Sequence, residues 1–227
     1  MNRIANVIKM HDRDRLSWFL MPFIVLGSSF LVNYLVSFFS ETAIYTGGIL
    51  SIFVYMLVVG ILVLPQTFNF AISFSIRRID YFFGTSLYGI AASIIFAVGT
   101  LLLSIIEYNL TGGWGTSLHF FHLPYLNDGN LLQQFLIYLI LMLSLFFSGL
   151  IVGSIYRRFK GIGMLILTIV SIVIFTLVSF LITYKLWWDN IINWLVDHTA
   201  FELSLWMAPF ILIFALISFL LLRKSTV

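Results

Sequence analysis

Residues 131–184 read LLQQFLIYLILMLSLFFSGLIVGSIYRRFKGIGMLILTIVSIVIFTLVSFLITY. Two apolar runs, Leu131 to Ile155 and Ile162 to Tyr184, flank a short basic knot of Arg157, Arg158 and Lys160. A membrane-crossing helix needs about 20 mostly apolar residues, and each run is that long. A barrel strand would alternate apolar and polar residues, and neither run does. In hydrocarbon every backbone polar group must be satisfied within the chain, which leaves helix as the form. The segment therefore reads as two spanning helices joined by a basic turn.

The same signature recurs on both sides of this segment. Further apolar runs lie at about 17–39, 44–64, 82–106 and 203–222, with Pro65 closing the second. Together with 131–155 and 162–184 they predict six spans. Composition agrees: 61% of residues are hydrophobic and 9% charged, against about 25% charged in soluble domains. Burial grows too slowly with size for a soluble core of this length to hide so much apolar surface. The predicted fold class is all-α, a single polytopic transmembrane domain. The first apolar run is long enough to span, so it is read as a retained helix and not as a cleaved signal.

Charge orients the bundle. The arm at 1–16 carries Arg3, Lys9, Arg13 and Arg15, and the connection after the second span carries Arg77 and Arg78. Arg157, Arg158 and Lys160 follow the fourth span, and Arg223 and Lys224 follow the sixth. With both termini in the cytoplasm, eleven of the twelve Lys and Arg lie inside and only Lys185 outside. Short loops rich in Lys and Arg stay cytoplasmic, so this orientation is expected. In the arm, Ile4, Val7 and Ile8 share one helical face, which predicts an interfacial helix. The segment 185–202 holds Trp187, Trp188 and Trp194, and reads as an outer interfacial or re-entrant element with its indoles at headgroup depth.

Several chemistries lack their residues. No span carries an Asp, Glu, Lys, Arg or His clear of its ends, whereas proton- and ion-coupled transporters place such groups at membrane depth. The chain has no cysteine, and neither a metalloprotease H-E-x-x-H nor a Gly-x-Ser-x-Gly elbow. It has no phosphate-binding G-x-x-x-x-G-K-[ST] loop, so any ATPase would be another chain. The net charge of +3 is too small to point to nucleic acid. His119 and His122 lie i, i+3 on the outer loop without a third ligand. Thr85, Gly89, Ser93 and Ala97 in the third span, and Ser144, Ser148, Gly149 and Gly153 in the fourth, form small-residue stripes that predict close helix packing.

The positive signal is the cytoplasmic connection 65–81, which contains Phe70, Phe74, Arg77, Arg78 and Asp80. A mere turn would favour Gly, Asn, Ser or Pro. An amphipathic surface helix that offers aromatics and arginines to a partner fits these residues better. The alternative is an ordinary surface helix with its arginines on lipid headgroups.

The chain resembles the permease subunits of type-2 ABC exporters, in particular the small six-span subunits of Gram-positive bacteria. Four features carry the likeness. The first is the basic arm running into Trp18-Phe19-Leu20-Met21-Pro22 and then Gly27-Ser28-Ser29-Phe30. The second is Asn69-Phe70-Ala71-Ile72-Ser73-Phe74-Ser75 followed by Arg77-Arg78 and Phe83-Gly84. The third is Ile155-Tyr156-Arg157-Arg158-Phe159 with Gly161 and Gly163. The fourth is the aromatic element before the last span. One departure is Ser75, where that family often has glycine. The Ile- and Phe-rich, cysteine-free composition suits a low-GC Gram-positive source, and within the family the chain resembles the staphylococcal exporters of the cytolytic phenol-soluble modulins.

The resemblance implies that the arm is an elbow helix and that permeases work in pairs, the same or homologous, each seated on a cytoplasmic ABC ATPase. Phe70, Phe74, Arg77, Arg78 and Asp80 would couple to that ATPase, with Arg157, Arg158 and Lys160 in the second cytoplasmic loop. ATP and magnesium would sit on the partner, with no cofactor, metal or catalytic residue on this chain. The expected setting is the bacterial plasma membrane, and the expected function is export of an amphipathic or apolar substrate. The rival readings are a non-catalytic immunity or sensor protein, or a lipid-modifying enzyme using His119, His122 and Asp128.

Overall fold

The structure is a computed structural model that describes residues 3–40, 42–127 and 129–223. Helix accounts for 84% of it, as the long apolar runs require. Helix α1 covers Arg3–Arg13. A π turn at Leu16–Leu20 leads into α2, Met21–Ser37. Helix α3 spans Leu50–Ser73 and α4 spans Arg78–Ile105, extended by a π turn at Ile106–Thr111. Helix α5 covers Leu131–Tyr184, α6 covers Trp188–Asp197 and α7 covers Ala200–Arg223. The described strands are two-residue pieces, β1 at Ile44–Tyr45 and β2 at Leu118–His119, paired in parallel.

Five helices are long and apolar enough to cross a membrane. One of them, α5, is 54 residues long and leaves helical geometry at Lys160, with φ 53° and ψ −144°. A straight helix of that length would reach about 80 Å at 1.5 Å per residue, far beyond a hydrocarbon core of about 30 Å. The break divides it into halves that each match one of the predicted runs. Helix α6 has only ten residues, about 15 Å of rise, and none of them is buried. It is too short to cross and has the composition of an interfacial element.

The core is a close crossing of α3 and the first half of α5. A Cβ on Gly60 would lie 2.3 Å from the Phe146 carbonyl oxygen, and one on Gly149 would lie 2.3 Å from that of Leu57. Only glycine lets two helix backbones meet at this distance. Gly89 of α4 receives the Phe146 ring, which a Cβ would meet at 2.2 Å. The small-residue stripes thus serve packing, as predicted. Helix α7 joins through Ser218, whose Oγ lies 2.7 Å from that of Ser154.

The helix of the second apolar run does not end at Pro65. Helix α3 continues through it to Ser73. A proline removes one N–H, and that loss is tolerated where neighbouring helices hold the chain. Beyond Pro65, the Thr67 and Tyr81 hydroxyls lie 2.6 Å apart, and Phe68 is fully buried. The backbone of α5 also comes close to the carbonyl that Pro65 leaves bare. A Cβ on Gly153 would sit 2.7 Å from the Ile61 oxygen. Residues 65–81 are therefore not a separate surface helix but the end of α3, a tight turn and the first turn of α4.

Contacts between the helix ends sort the loops into two sets. At one end the Arg78 guanidinium donates to the Arg223 carbonyl at 3.2 Å, Arg157 bonds Asn69, and α1 packs on the start of α4. At the other end Ser37 donates to Thr116 at 2.7 Å, β1 pairs with β2, and Tyr125 donates to the His198 carbonyl at 3.2 Å. The basic clusters gather at the first end, and Lys185, next to α6, belongs to the second. Lys224 lies outside the described residues.

Candidate functional site

The basic end holds an exposed aromatic surface built on the turn between α3 and α4. Helix α3 closes in a Schellman arrangement, in which the Ile76 N–H reaches the Ala71 carbonyl at 3.3 Å and the Ser75 N–H reaches that of Ile72 at 2.9 Å. This closure puts one residue in the left-handed region, usually glycine. Here it is Ser75, with φ 58°. Arg77 then adopts an extended conformation and its carbonyl accepts the Tyr81 N–H at 2.9 Å, which opens α4. Asp80 falls in the first turn of α4, where a carboxylate complements the helix dipole.

Phe70 and Phe74 end up side by side at the tip. Their ring centroids are 4.7 Å apart, and the residues are 56% and 66% exposed. The i, i+4 spacing on a helix accounts for the shared face. Arg77, three residues beyond Phe74 in the chain, is exposed, and among the described residues no carboxylate pairs with it. Arm helix α1 supplies a facing wall. Asn6, Lys9, Met10 and Arg13 stand across from Phe70, Ala71, Phe74 and Ile76, enclosing a groove of about 570 Å³. Its lining is mostly apolar and includes two cations, Lys9 and Arg13.

The other predicted site residues have local tasks. Arg78 donates to the end of α7. Arg157 bonds Asn69 and lies over the Phe68 ring, 5.0 Å from its centroid. Arg158 lies 4.9 Å over Phe159, and Lys160 occupies the break in α5. Phe70, Phe74 and Arg77 alone share the exposed turn, while Arg78 and Arg157 fasten neighbouring helices to it.

His11 was not singled out from the sequence and turns out to anchor the arm. It is fully buried, with Nε2 3.0 Å from the Thr85 hydroxyl and its ring among those of Trp18, Tyr81 and Tyr88. Burial pushes the imidazole down to about 4, against the opposing pull of the Asp14 charge. Val7 is also fully buried, facing Gly84 of α4, where a Cβ would meet it at 2.6 Å. The arm thus lies against protein along this edge. His11 extends the Ile4, Val7, Ile8 spacing by one more turn, and that was the available signal.

At the opposite end Glu107 is fully buried. Its carboxylate accepts from the Trp114 Nε1 at 2.8 Å and from the backbone N–H groups of Phe120, Phe121 and His122 at 2.8–3.1 Å. His122 lies 3.1 Å from the Ser104 hydroxyl and stacks on Tyr108, while His119 stacks on Tyr45. Both histidines also meet the Glu107 carboxylate, His119 through Nδ1 at 3.8 Å and His122 through its backbone N–H. Among the described residues no group of three His, Cys, Asp or Glu could hold a metal. Asp128 lies outside the described residues. This cluster shapes the loop 108–130.

No family model matches the chain, and neither a curated protein nor a solved structure does.

Proposed function

We propose that this chain is the transmembrane subunit of an ATP-driven ABC exporter, with six spans, both termini in the cytoplasm and a separate ATPase docked at the α3–α4 turn. The observation that carries the reading is the exposed Phe70–Phe74 pair, followed in the chain by Arg77, at the basic end of the bundle. In water such a pair would be a liability, and apolar patches rimmed by polar residues mark interaction sites. Aromatic and arginine side chains are enriched at the energetic centres of protein interfaces. The groove with Lys9 and Arg13 calls for a partner segment that has an apolar ridge and carboxylates. The break at Lys160 supports counting α5 as two spans, and a six-span count would leave both ends of the chain on the side of the basic clusters. The spans present aliphatic and aromatic walls without mid-membrane charge, which suits an apolar or amphipathic cargo and a partner chain as the energy source.

The test uses the complex of this chain with its ATPase. Phe74→Ala keeps every charge, so a surface that only meets lipid headgroups would tolerate it. The reading predicts a loss of co-purification or of cargo-stimulated ATP hydrolysis of at least several-fold, since central interface aromatics contribute about 2 kcal/mol or more. Arg77→Lys is expected to impair the same readouts, because lysine cannot reproduce a forked contact with a carboxylate. If Phe74→Ala and Arg77→Ala both leave assembly and ATPase activity at wild-type levels, the docking assignment is wrong.

A further inference from the structure

A second surface lies at the break in α5. An apolar cleft of about 600 Å³ is lined by Ile155, Phe159, Ile162, Gly163, Ile166, Val170 and Leu221. Its volume is in the range of ligand-holding sites, roughly 300–1,000 Å³. Ile162, Ile166 and Val170 recur every four residues and are 75%, 54% and 47% exposed. At 1.5 Å per residue they line a trough of about 12 Å parallel to the helix axis. Gly163 lets the helix restart against Phe159, since a Cβ there would meet the Phe159 Cβ at 2.4 Å.

Two cations adjoin the walls of the trough. The Arg158 guanidinium sits 4.9 Å over the ring of Phe159, which is itself a wall of the cleft. Lys160 stands in the chain between the wall residues Phe159 and Ile162, at an exposed position. Among the described residues no carboxylate pairs with either cation. Arg157 differs, being held by Asn69 and Phe68. A straight apolar trough that adjoins unpaired cations has the form of one molecule class, an acyl chain carrying an anionic headgroup. Basic pockets between membrane helices recognise such headgroups.

We infer that this cleft is a binding site for an anionic phospholipid, its acyl chain along Ile162, Ile166 and Val170 and its phosphate at Arg158 and Lys160. The inference requires the chain to sit in a bilayer and does not depend on the ATPase reading. Arg158 and Lys160 offer N–H donors and positive charge, while the trough offers no polar group to a chain.

The probe is phosphatidylglycerol in competition with phosphatidylcholine of the same chains. The full chain is reconstituted in vesicles with equal parts of the two, released, and its retained lipid counted by native mass spectrometry. Wild type is expected to keep phosphatidylglycerol several-fold over phosphatidylcholine. Arg158→Gln with Lys160→Gln should abolish that preference, and Ile166→Trp, which fills the trough and keeps the charges, should also release the lipid. Lys9→Gln with Arg13→Gln, the same loss of charge on the arm, should leave it bound. The site is refuted if wild type retains both lipids equally, if either cleft variant retains phosphatidylglycerol as wild type does, or if the arm variant loses as much as the Arg158 and Lys160 pair.

Discussion

Ser75 shows how a single side chain records a backbone requirement. The Schellman closure of α3 needs a left-handed residue, and a non-glycine held outside the favoured regions costs on the order of 1 kcal/mol. Ser75→Gly should therefore raise the thermal midpoint of the purified chain, and an unchanged or lower midpoint would contradict the assigned turn. His11 makes a different kind of prediction. Burial holds its folded value at about 4, below the ordinary imidazole value of 6.5, so the unfolded chain takes up the proton first as pH falls. The His11 contribution is complete above about pH 6.5 and is lost progressively down to about pH 4. Lowering pH from about 7.5 to about 5.5 should cost on the order of 1 kcal/mol, read as a drop in thermal midpoint that His11→Leu largely removes. An equal drop in both proteins would place the acid sensitivity elsewhere. Neither residue's task stands out in the sequence. Ser75 carries a side chain that gives no hint of a left-handed backbone, and His11 reads as one more polar residue until α4 closes over it. Glu107 is similar: by position it is an outer-loop acid, and only the folded loop brings three backbone N–H groups and an indole onto its carboxylate.

At the scale of elements, hydrophobic run length did most of the work. The runs at 131–155 and 162–184 coincide with the halves of α5, because a stretch that must satisfy its own backbone has no alternative to helix. Pro65 misled for a physical reason. Proline stops a helix where water or a turn competes for the freed carbonyl, whereas here Gly153 and the Thr67–Tyr81 contact hold the helix on course. The arm was legible as amphipathic, but the surface it packs against was not, since Gly84 and Thr85 lie more than 70 residues away from it in the chain. Its orientation gives an element-level prediction. A spin label at Val7 should be strongly immobilised and shielded from aqueous relaxants, one at Ile4 should report partly apolar surroundings, and one at Arg13 should be water-accessible. Equal accessibility at Val7 and Arg13 would mean that the arm does not lie on α4.

At the scale of the whole molecule, the two ends differ in charge. The basic clusters of the arm, the α3–α4 turn, the α5 break and the end of α7 meet at one end through contacts such as Arg78 with Arg223 and Arg157 with Asn69. The sequence anticipated this arrangement because short loops rich in Lys and Arg are retained in the cytoplasm. It did not reveal the groove between arm and turn, which depends on how α1 leans on α4. The chain lacks cysteine, so single cysteines report without background. In intact cells, an impermeant thiol reagent should modify Ser117→Cys and Asn193→Cys, at exposed positions of the loop 108–130 and of α6. It should modify Ser75→Cys and Lys160→Cys only after the membrane is permeabilised. Labelling of Lys160→Cys in intact cells would contradict six spans, and labelling of Ser75→Cys but not Ser117→Cys would invert the orientation on which the docking surface depends.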